Sequence, residues 1–270
     1  MGFYSVNTLL QDAKRHHIRC KPVSVIHSMI ETEVIDDHRL RLGLHQLKGL
    51  SYQTMESLIE ARSQKQFQTF DDFSSRLPMN KKELRILAAS GALNDFPEIA
   101  HRRDALWKVE HSLSEDLFTQ TQPTSKTTLP MMTPLERLQT DYHLQGATIG
   151  AHPMKLWRQE HSEHLATSFS LGQLSHGAHV IIAGLVICRQ RPSTAKGHCF
   201  ISLEDEFGIA NLFIPQKTFQ QYRLTITTEE FLLVEGRLQI TEGKQPTVYV
   251  IQVQPFFRSS KLSTSSHDFH

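Results

Sequence analysis

The stretch ICRQRPSTAKGHCFISLEDEFGIAN, from Ile187 to Asn211, carries the clearest fold signal in this chain. One strand-like run ends at Gln190, and a second, alternating run leads into the acidic turn Glu204-Asp205-Glu206 before Gly208. Arg189 near the end of the first run and Arg191 and Lys196 in the connection come with no carboxylate among them. A connection of that charge suits phosphate groups, which Lys and Arg neutralise whatever the base sequence.

From His179 onward the pattern stays β: HVIIAGLVICRQ, HCFISLED, IANLFIP, FLLVEGRLQI and TVYVIQVQPF, with a helical run, Gln216 to Arg223, between the third and fourth. Five strands with a helix after the third follow the order of the OB barrel, which takes oligonucleotides on one face. Alternation sets Cys199, Ile201 and Leu203 against His198, Phe200 and Ser202 on the second strand, and Ala210, Leu212 and Ile214 against Asn211 and Phe213 on the third. With the aliphatic set inward, Phe200 and Phe213 form an outer platform. Bases stack there for about 1–3 kcal/mol each while Arg189, Arg191 and Lys196 neutralise the backbone. In the competing arrangement both phenylalanines are buried against the preceding helices.

Upstream the pattern is helical. Val6, Leu9, Leu10 and Ala13 follow the N-cap candidate Ser5, and Ile18 to Val25 reads as a strand. From Arg39 the chain runs RLRLGLHQLKGLSYQTMESLIEAR, a short extended run, a turn at Leu47–Ser51 and a helix with Met55, Leu58 and Ile59 on one face. This is helix-hairpin-helix patterning, in which Lys48, Gly49 and Ser51 offer backbone N–H groups to a phosphate and glycine permits close approach. The plainer alternative has Gly49 only separating two packed helices. Thr69 with Asp72 and Asn80 with Glu83 predict two further helix starts. The second of these helices runs into Ser90-Gly91-Ala92-Leu93, a second hairpin candidate at Gly91 with no cation in its turn.

His101 to Val109 is expected to be helical, and Ser112 to Thr133, rich in Ser, Thr, Gln and Pro, reads as a linker. Thr133-Pro134-Leu135-Glu136 then supplies an N-cap, a first-turn proline and a capping-box glutamate for a helix to about Leu144. Ser259 to His270 reads as a disordered tail. The expected fold class is α+β multidomain: an N-terminal helical part with tandem helix-hairpin-helix, a linker with connecting helices, and a five-stranded OB-fold β-barrel. The expected boundaries are 1–38, 39–111, 112–177, 178–258 and 259–270.

Composition narrows the function classes. The chain has 270 residues, 39% hydrophobic and 21% charged, which is ordinary for globular proteins. With 29 Lys and Arg against 28 Asp and Glu, the net charge of +1 supports no global electrostatic argument, so any nucleic-acid contact must rest on local clusters. Cys20, Cys188 and Cys199 lack CxxC spacing, which speaks against a disulfide framework or zinc ribbon and for a cytoplasmic protein. No apolar run approaches the roughly 18 residues of a membrane span, so no membrane partner is expected. Among the 16 histidines, His161 with His164 and His16 with His17 find no third ligand pattern, so no metal site is assigned. No GxSxG elbow exists. Glu204-Asp205-Glu206 invites a Mg²⁺ reading, but a structural turn explains it better and no catalytic residue is assigned. Ser114-Glu115-Asp116-Leu117-Phe118 ends like the short apolar peptides that dock into sliding clamps, with Leu117 and Phe118 as the pocket-filling residues and Ser114 where glutamine is usual.

Several strings resemble, in order, the bacterial error-prone C-family (DnaE-like) DNA polymerases: Gly2–Ser28, Leu42–Leu50, His101–Trp107, Gly146–Met154, Arg189–Phe200 and Leu203–Asn211. The resemblance runs from Gly2 to about Phe256 and makes residues 1–38 the end of a fingers-like region. It implies the C-terminal, DNA-binding part of a polymerase used in translesion synthesis and damage tolerance. It also implies that the catalytic carboxylates, their Mg²⁺ and the PHP domain belong to regions upstream of Met1, so that this chain alone would not polymerise. On that reading the chain is a truncated or split product. Its expected partners are single-stranded or primed DNA and a palm-bearing polymerase chain, with a sliding clamp or mutagenesis accessory proteins beside them. The alternative is a free-standing single-strand-binding or adaptor module in DNA repair.

Overall fold

The computed structural model describes residues 4–112, 129–161, 165–243, 245–256 and 267–269. The clamp-peptide residues Leu117 and Phe118, with most of the expected linker, lie outside them. Two compact units form, His17–Gln145 and a second made of Met1–His16 with Gly146–His270. This differs from the five-part division expected from sequence, which kept residues 1–38 together. The first helix, α1 (Val6–Arg15), capped by Ser5, belongs instead with the C-terminal segment: Gln11 Nε2 donates to the Thr148 carbonyl at 3.2 Å and Thr148 N donates to Asn7 Oδ1 at 3.3 Å.

The unit His17–Gln145 opens with a small sheet. β1 (Arg19–Lys21) runs parallel to β3 (Arg39–Arg41), and β2 (Glu33–Asp36) pairs antiparallel on the other side of β3. A 3-10 turn at Leu44–Gln46 leads to α2 (Tyr52–Gln64), followed by α3 (Phe70–Arg76), α4 (Lys81–Ser90), α5 (Arg102–Ser112) and α6 (Pro134–Gln145). The expected caps form: Thr69 Oγ1 accepts from Asp72 N, Asn80 Oδ1 from Glu83 N, and Thr133 and Glu136 close a reciprocal box at 2.8 and 3.2 Å. Phe67, Phe70, Phe73 and Phe96 meet edge-on and tilted at 5.2–6.5 Å and, with Leu58, Leu87 and Leu93, form the buried centre.

In the other unit, α7 (Pro153–Glu160) precedes the barrel strands β4 (His179–Gln190), β5 (Cys199–Glu204), β6 (Ile209–Ile214), β7 (Phe231–Gln239) and β8 (Thr247–Pro255). The short helices α8 (Gln216–Gln221) and α9 (Arg223–Thr228) lie between β6 and β7, where the sequence shows one helical run. Pairing follows β5-β6-β8-β7-β4, and β4 also pairs with β5, so the five strands close into a ring. The β6–β8 pair is parallel and the others are antiparallel. Gly184 lets β4 serve both neighbours, since a Cβ there would lie 2.7 Å from the Glu204 carbonyl oxygen. The interior is the expected aliphatic set: Cys199, Ile201, Leu203, Ala210, Leu212 and Ile214 are all buried, against Val234, Val248 and Val250.

The expected disordered tail is corrected in part. β9 (His267–Phe269) pairs parallel with Cys188–Gln190 of β4. That edge is available because the β4–β7 pairing stops at Leu185 and leaves one side of β4 without a ladder. His161 is the C-cap of α7, and His164 lies outside the described residues. Among the described residues no helix is long and apolar enough to cross a membrane.

Candidate nucleic-acid interface

The outer face of the barrel is organised in two rows by strand register. Gln190 of β4 pairs with Phe200, Phe200 with Phe213, and Phe213 with Tyr249. Two residues along, Cys188 pairs with Ser202, Ser202 with Asn211, and Asn211 with Thr247. Side chains two apart share a face at about 7 Å spacing, so an aromatic row lies beside a polar row. Ring centroids are 5.5 Å apart for Phe200 and Phe213 and 5.6 Å for Phe213 and Tyr249, with His198 5.0 Å from Phe213. Phe200 and Tyr249 are 40% and 37% exposed, so the row is open to solvent and the arrangement with both phenylalanines buried against the preceding helices does not form.

In the polar row Ser202 Oγ donates to Asn211 Oδ1 at 3.4 Å, and Asn211 Nδ2 donates to Gln245 Oε1 at 3.1 Å. The cleft lined by Gln190, Phe200, Ser202, Asn211, Phe213 and Gln245 has a volume of about 400 Å³. A neighbouring cleft of about 410 Å³ shares Gln190, Ser202, Asn211 and Gln245 and extends to Tyr4 and Arg15 of the same unit.

The three predicted cations separate. Arg191 and Lys196 are not buried, and the Arg191 guanidinium lies 4.5 Å from the centroid of the Phe219 ring. Lys196 holds a left-handed conformation, φ 50°, just before Gly197. Arg189 is the correction: it is only 8% exposed, and its guanidinium donates to the Ile226 carbonyl at 2.7 Å and to the Glu229 carbonyl. A bulge between Val186 and Cys188 shifts the alternation, so Arg189 faces with Ile201 and caps the end of α9 instead of joining Arg191 and Lys196.

The acidic turn is occupied by protein groups. Asp205 accepts from Ser168 N at 2.7 Å, Ser168 Oγ at 2.5 Å, Phe207 N at 2.9 Å and Gly208 N at 3.0 Å, and Glu206 accepts from Arg158 Nε at 2.8 Å. Glu204, fully buried, receives Asn7 Nδ2 and Arg15 Nη1, each at 3.5 Å, and stands 4.0 Å from His152 Nε2. Burial pushes the Glu204 carboxyl up to about 7, with Arg15 opposing, and pushes the His152 imidazole down to about 3, helped by Lys14, Arg15 and Arg158. His152 Nδ1 accepts from Met154 N at 3.1 Å, capping α7. Among the described residues no cluster of His, Cys, Asp and Glu could hold a metal ion.

In the unit His17–Gln145 the predicted hairpin residues come together. Gly49 has φ 90° and Ser51 caps α2, its Oγ accepting from Thr54 N at 3.1 Å. Lys48 N donates to the Leu144 carbonyl and Ser51 N to Glu83 Oε1 at 2.9 Å, so those two N–H groups are engaged; those of Gly49, Tyr52 and Gln53 make no hydrogen bond within the described residues. Glu83, capped by Asn80, also accepts from Thr54 Oγ1 at 2.8 Å, and these donors hold its carboxyl below the usual range against the opposing effect of burial. Gly91, φ 85°, ends α4 as a left-handed C-cap, and Arg102 packs where its Cβ would be. Sequence reading placed extended runs at Ile18–Val25 and from Arg39 but not β2 or the sheet that the three strands form. Its register sets Arg19 opposite Arg39 and Lys21 opposite Arg41, and the acids brought beside them by β2 are Glu33, opposite Arg41, and Asp36, which pairs with Arg39. Two carboxylates thus offset two of the four cations, while Arg19 and Lys21 face only Arg39 and Arg41 in the register. Assigning parallel register from separated short strands is what the sequence could not offer.

Two family models match: a helix-hairpin-helix motif over residues 17–105 and an OB-fold nucleic acid binding domain over residues 180–256. The error-prone DNA polymerase of Teredinibacter turnerae is 34% identical over 100% of this chain and 28% of its own length. That of Saccharophagus degradans is 34% identical over 100% of the chain and 27% of its length, and that of Pseudomonas paraeruginosa 35% over 100% and 27%. This chain therefore spans little more than a quarter of those relatives. Among solved structures, asparaginyl-tRNA synthetase from Pyrococcus horikoshii aligns with a TM-score of 0.27 at 17% identity, over 33% of this chain and 21% of that one, too loose to add to the argument. With both domain models in place and the whole chain aligned to their C-terminal part, this protein is a homologue of the error-prone DNA polymerases that carries helix-hairpin-helix and OB-fold domains.

Proposed function

We propose that the chain is a DNA-holding portion of an error-prone polymerase acting in damage tolerance. A single strand lies along the barrel face, its bases on Phe200 and Phe213 and its phosphates near Arg191 and Lys196. Duplex phosphates are taken at the hairpin by the N–H groups of Gly49, Tyr52 and Gln53 with the Lys48 ammonium, since the N–H groups of Lys48 and Ser51 are already engaged, and by the cations of the small sheet, contacts that are blind to sequence. The observation that carries this reading is the exposed aromatic row bordered by hydrogen-bonding side chains on an OB barrel.

Bond formation is assigned to a palm-bearing polypeptide with its own Mg²⁺. In support, the carboxylates of Glu204, Asp205 and Glu206 are engaged by neighbouring protein groups rather than convergent on a common point. The test is fluorescence anisotropy with single-stranded and primed oligonucleotides across a salt series, paired with primer extension. Binding that weakens steeply with salt supports the proposal, and indifference to DNA in dilute buffer overturns it. Mg²⁺-dependent synthesis by the chain alone would refute the division of labour.

A further inference from the structure

Resting on the reading of the barrel face as a single-strand track, we propose that the polar row beside the aromatics reads one base of that strand and favours adenine. A general single-strand track needs only stacking surfaces and cations, because every base has a π-face and every nucleotide a phosphate. This face carries more. Register sets Ser202 and Asn211 opposite one another, two residues from the Phe200–Phe213 pair on both strands. A base stacked on the phenylalanines therefore presents its edge about 7 Å along the strands, over the polar row.

The hydrogen-bonding capacity of that row is only partly used. Asn211 Oδ1 accepts from Ser202 Oγ, and one Asn211 Nδ2 hydrogen goes to Gln245 Oε1. This chain of bonds fixes the Asn211 amide and leaves the second hydrogen of Nδ2 and both hydrogens of Gln245 Nε2 to a ligand, together with the second lone pair of Gln245 Oε1. The row thus offers a donor next to an acceptor, the pattern by which a carboxamide recognises adenine N6 and N7. Adenine shows a donor beside an acceptor on both of its edges, N6 with N7 and N6 with N1. Guanine shows two acceptors at N7 and O6 and a matching pair only where O6 stands beside N1–H; cytosine matches through N4–H with N3, and thymine through N3–H with O4 or O2, each on one edge. An adenine entering the cleft of about 400 Å³ satisfies the row with either of two edges, whereas each other base has only one edge that does so.

The experiment measures anisotropy with the full chain and oligonucleotides of dA, dC and dT, for the wild type, for Gln245→Ala and for Gln245→Ala with Asn211→Ala. Comparing the dA-to-dT affinity ratio between variant and wild type cancels self-stacking of free oligo-dA. The ratio is expected to fall roughly five-fold in the double variant, the low end for one bidentate amide contact, with an unchanged salt slope. Gln245 is exposed, so the single variant leaves the barrel core intact and should give a smaller fall in the same direction. A ratio that stays constant, or affinity lost equally for all oligonucleotides, overturns base reading. In that case salt-dependent binding by the wild type keeps the single-strand track standing, whereas a wild type that binds none of the oligonucleotides removes the track and the base reading with it.

Discussion

The two units meet nucleic acid, on the reading proposed, through opposite chemistries. The barrel offers rings and carboxamides from adjacent strands, with Arg191 and Lys196 at the margin. The unit His17–Gln145 offers backbone N–H groups at a glycine turn and cations set opposite one another on a small sheet. The first surface responds to bases, which are exposed in a single strand. The second responds to phosphates, which a duplex presents without unpairing. On that reading a chain with a net charge of +1 addresses DNA through local groups, register setting Arg19 opposite Arg39 and Lys21 opposite Arg41.

This contrast rests first on the rings. Replacing Phe200 and Phe213 together with alanine should cost about 2 kcal/mol or more of single-strand affinity, roughly thirty-fold, with primed-duplex contacts less affected. Equal losses on both DNA forms in anisotropy titrations would erase the distinction. Next in size is Glu83→Ala, which removes the acceptor for Ser51 N and Thr54 Oγ1. A cost of about 1–3 kcal/mol in unfolding is expected, with weaker binding of primed duplex and unchanged binding of single strands. Arg189→Ala should destabilise by a similar amount, about 1–3 kcal/mol, by leaving the Ile226 and Glu229 carbonyls unpaired. Its salt slope should match wild type, and a flattened slope would return Arg189 to the phosphate-binding set.

The buried Glu204 and His152 give the barrel unit a pH signature of its own. Glu204 has a folded value raised to about 7, so the stability it contributes is complete below about 4.5 and is lost as pH rises through 7. His152 is lowered to about 3, so its contribution is complete above about 6.5 and is lost as pH falls toward 3. Between about 4.5 and 6.5 the two oppose each other and flatten the profile. Glu204→Gln should expose the acid-side loss of stability in denaturant titrations at pH 5 and pH 8, and a profile unchanged from wild type would contradict the assignment. The smallest effect expected is that of Arg191→Ala with Lys196→Ala, which should reduce the salt slope by about 0.7 per lost phosphate contact on single strands.

Much of the fold was legible because it is written in local signals. The caps Ser5, Thr69, Asn80 and Thr133 compete for the first N–H groups of their own helices and need no distant partner. The strands of the barrel announce themselves by alternation, and β4 spans His179–Gln190 as read. The platform of Phe200 and Phe213 followed from the same period of two, whereas its extension to Tyr249 depended on the parallel β6–β8 pairing. His198 was placed on the outer side but its contact with Phe213 was not foreseen.

Which residues are helical, which alternate, and therefore which side chains share a strand face could be read from the order of amino acids, because backbone periods are enforced by neighbours along the chain. Which faces meet emerged only with the folded molecule. A one-residue bulge turned Arg189 inward, hydrogen bonds between Thr148 and both Asn7 and Gln11 joined the first helix to the C-terminal segment, and register set Arg19 against Arg39. Each of these depends on pairing between segments distant in sequence, and no local propensity carries that information.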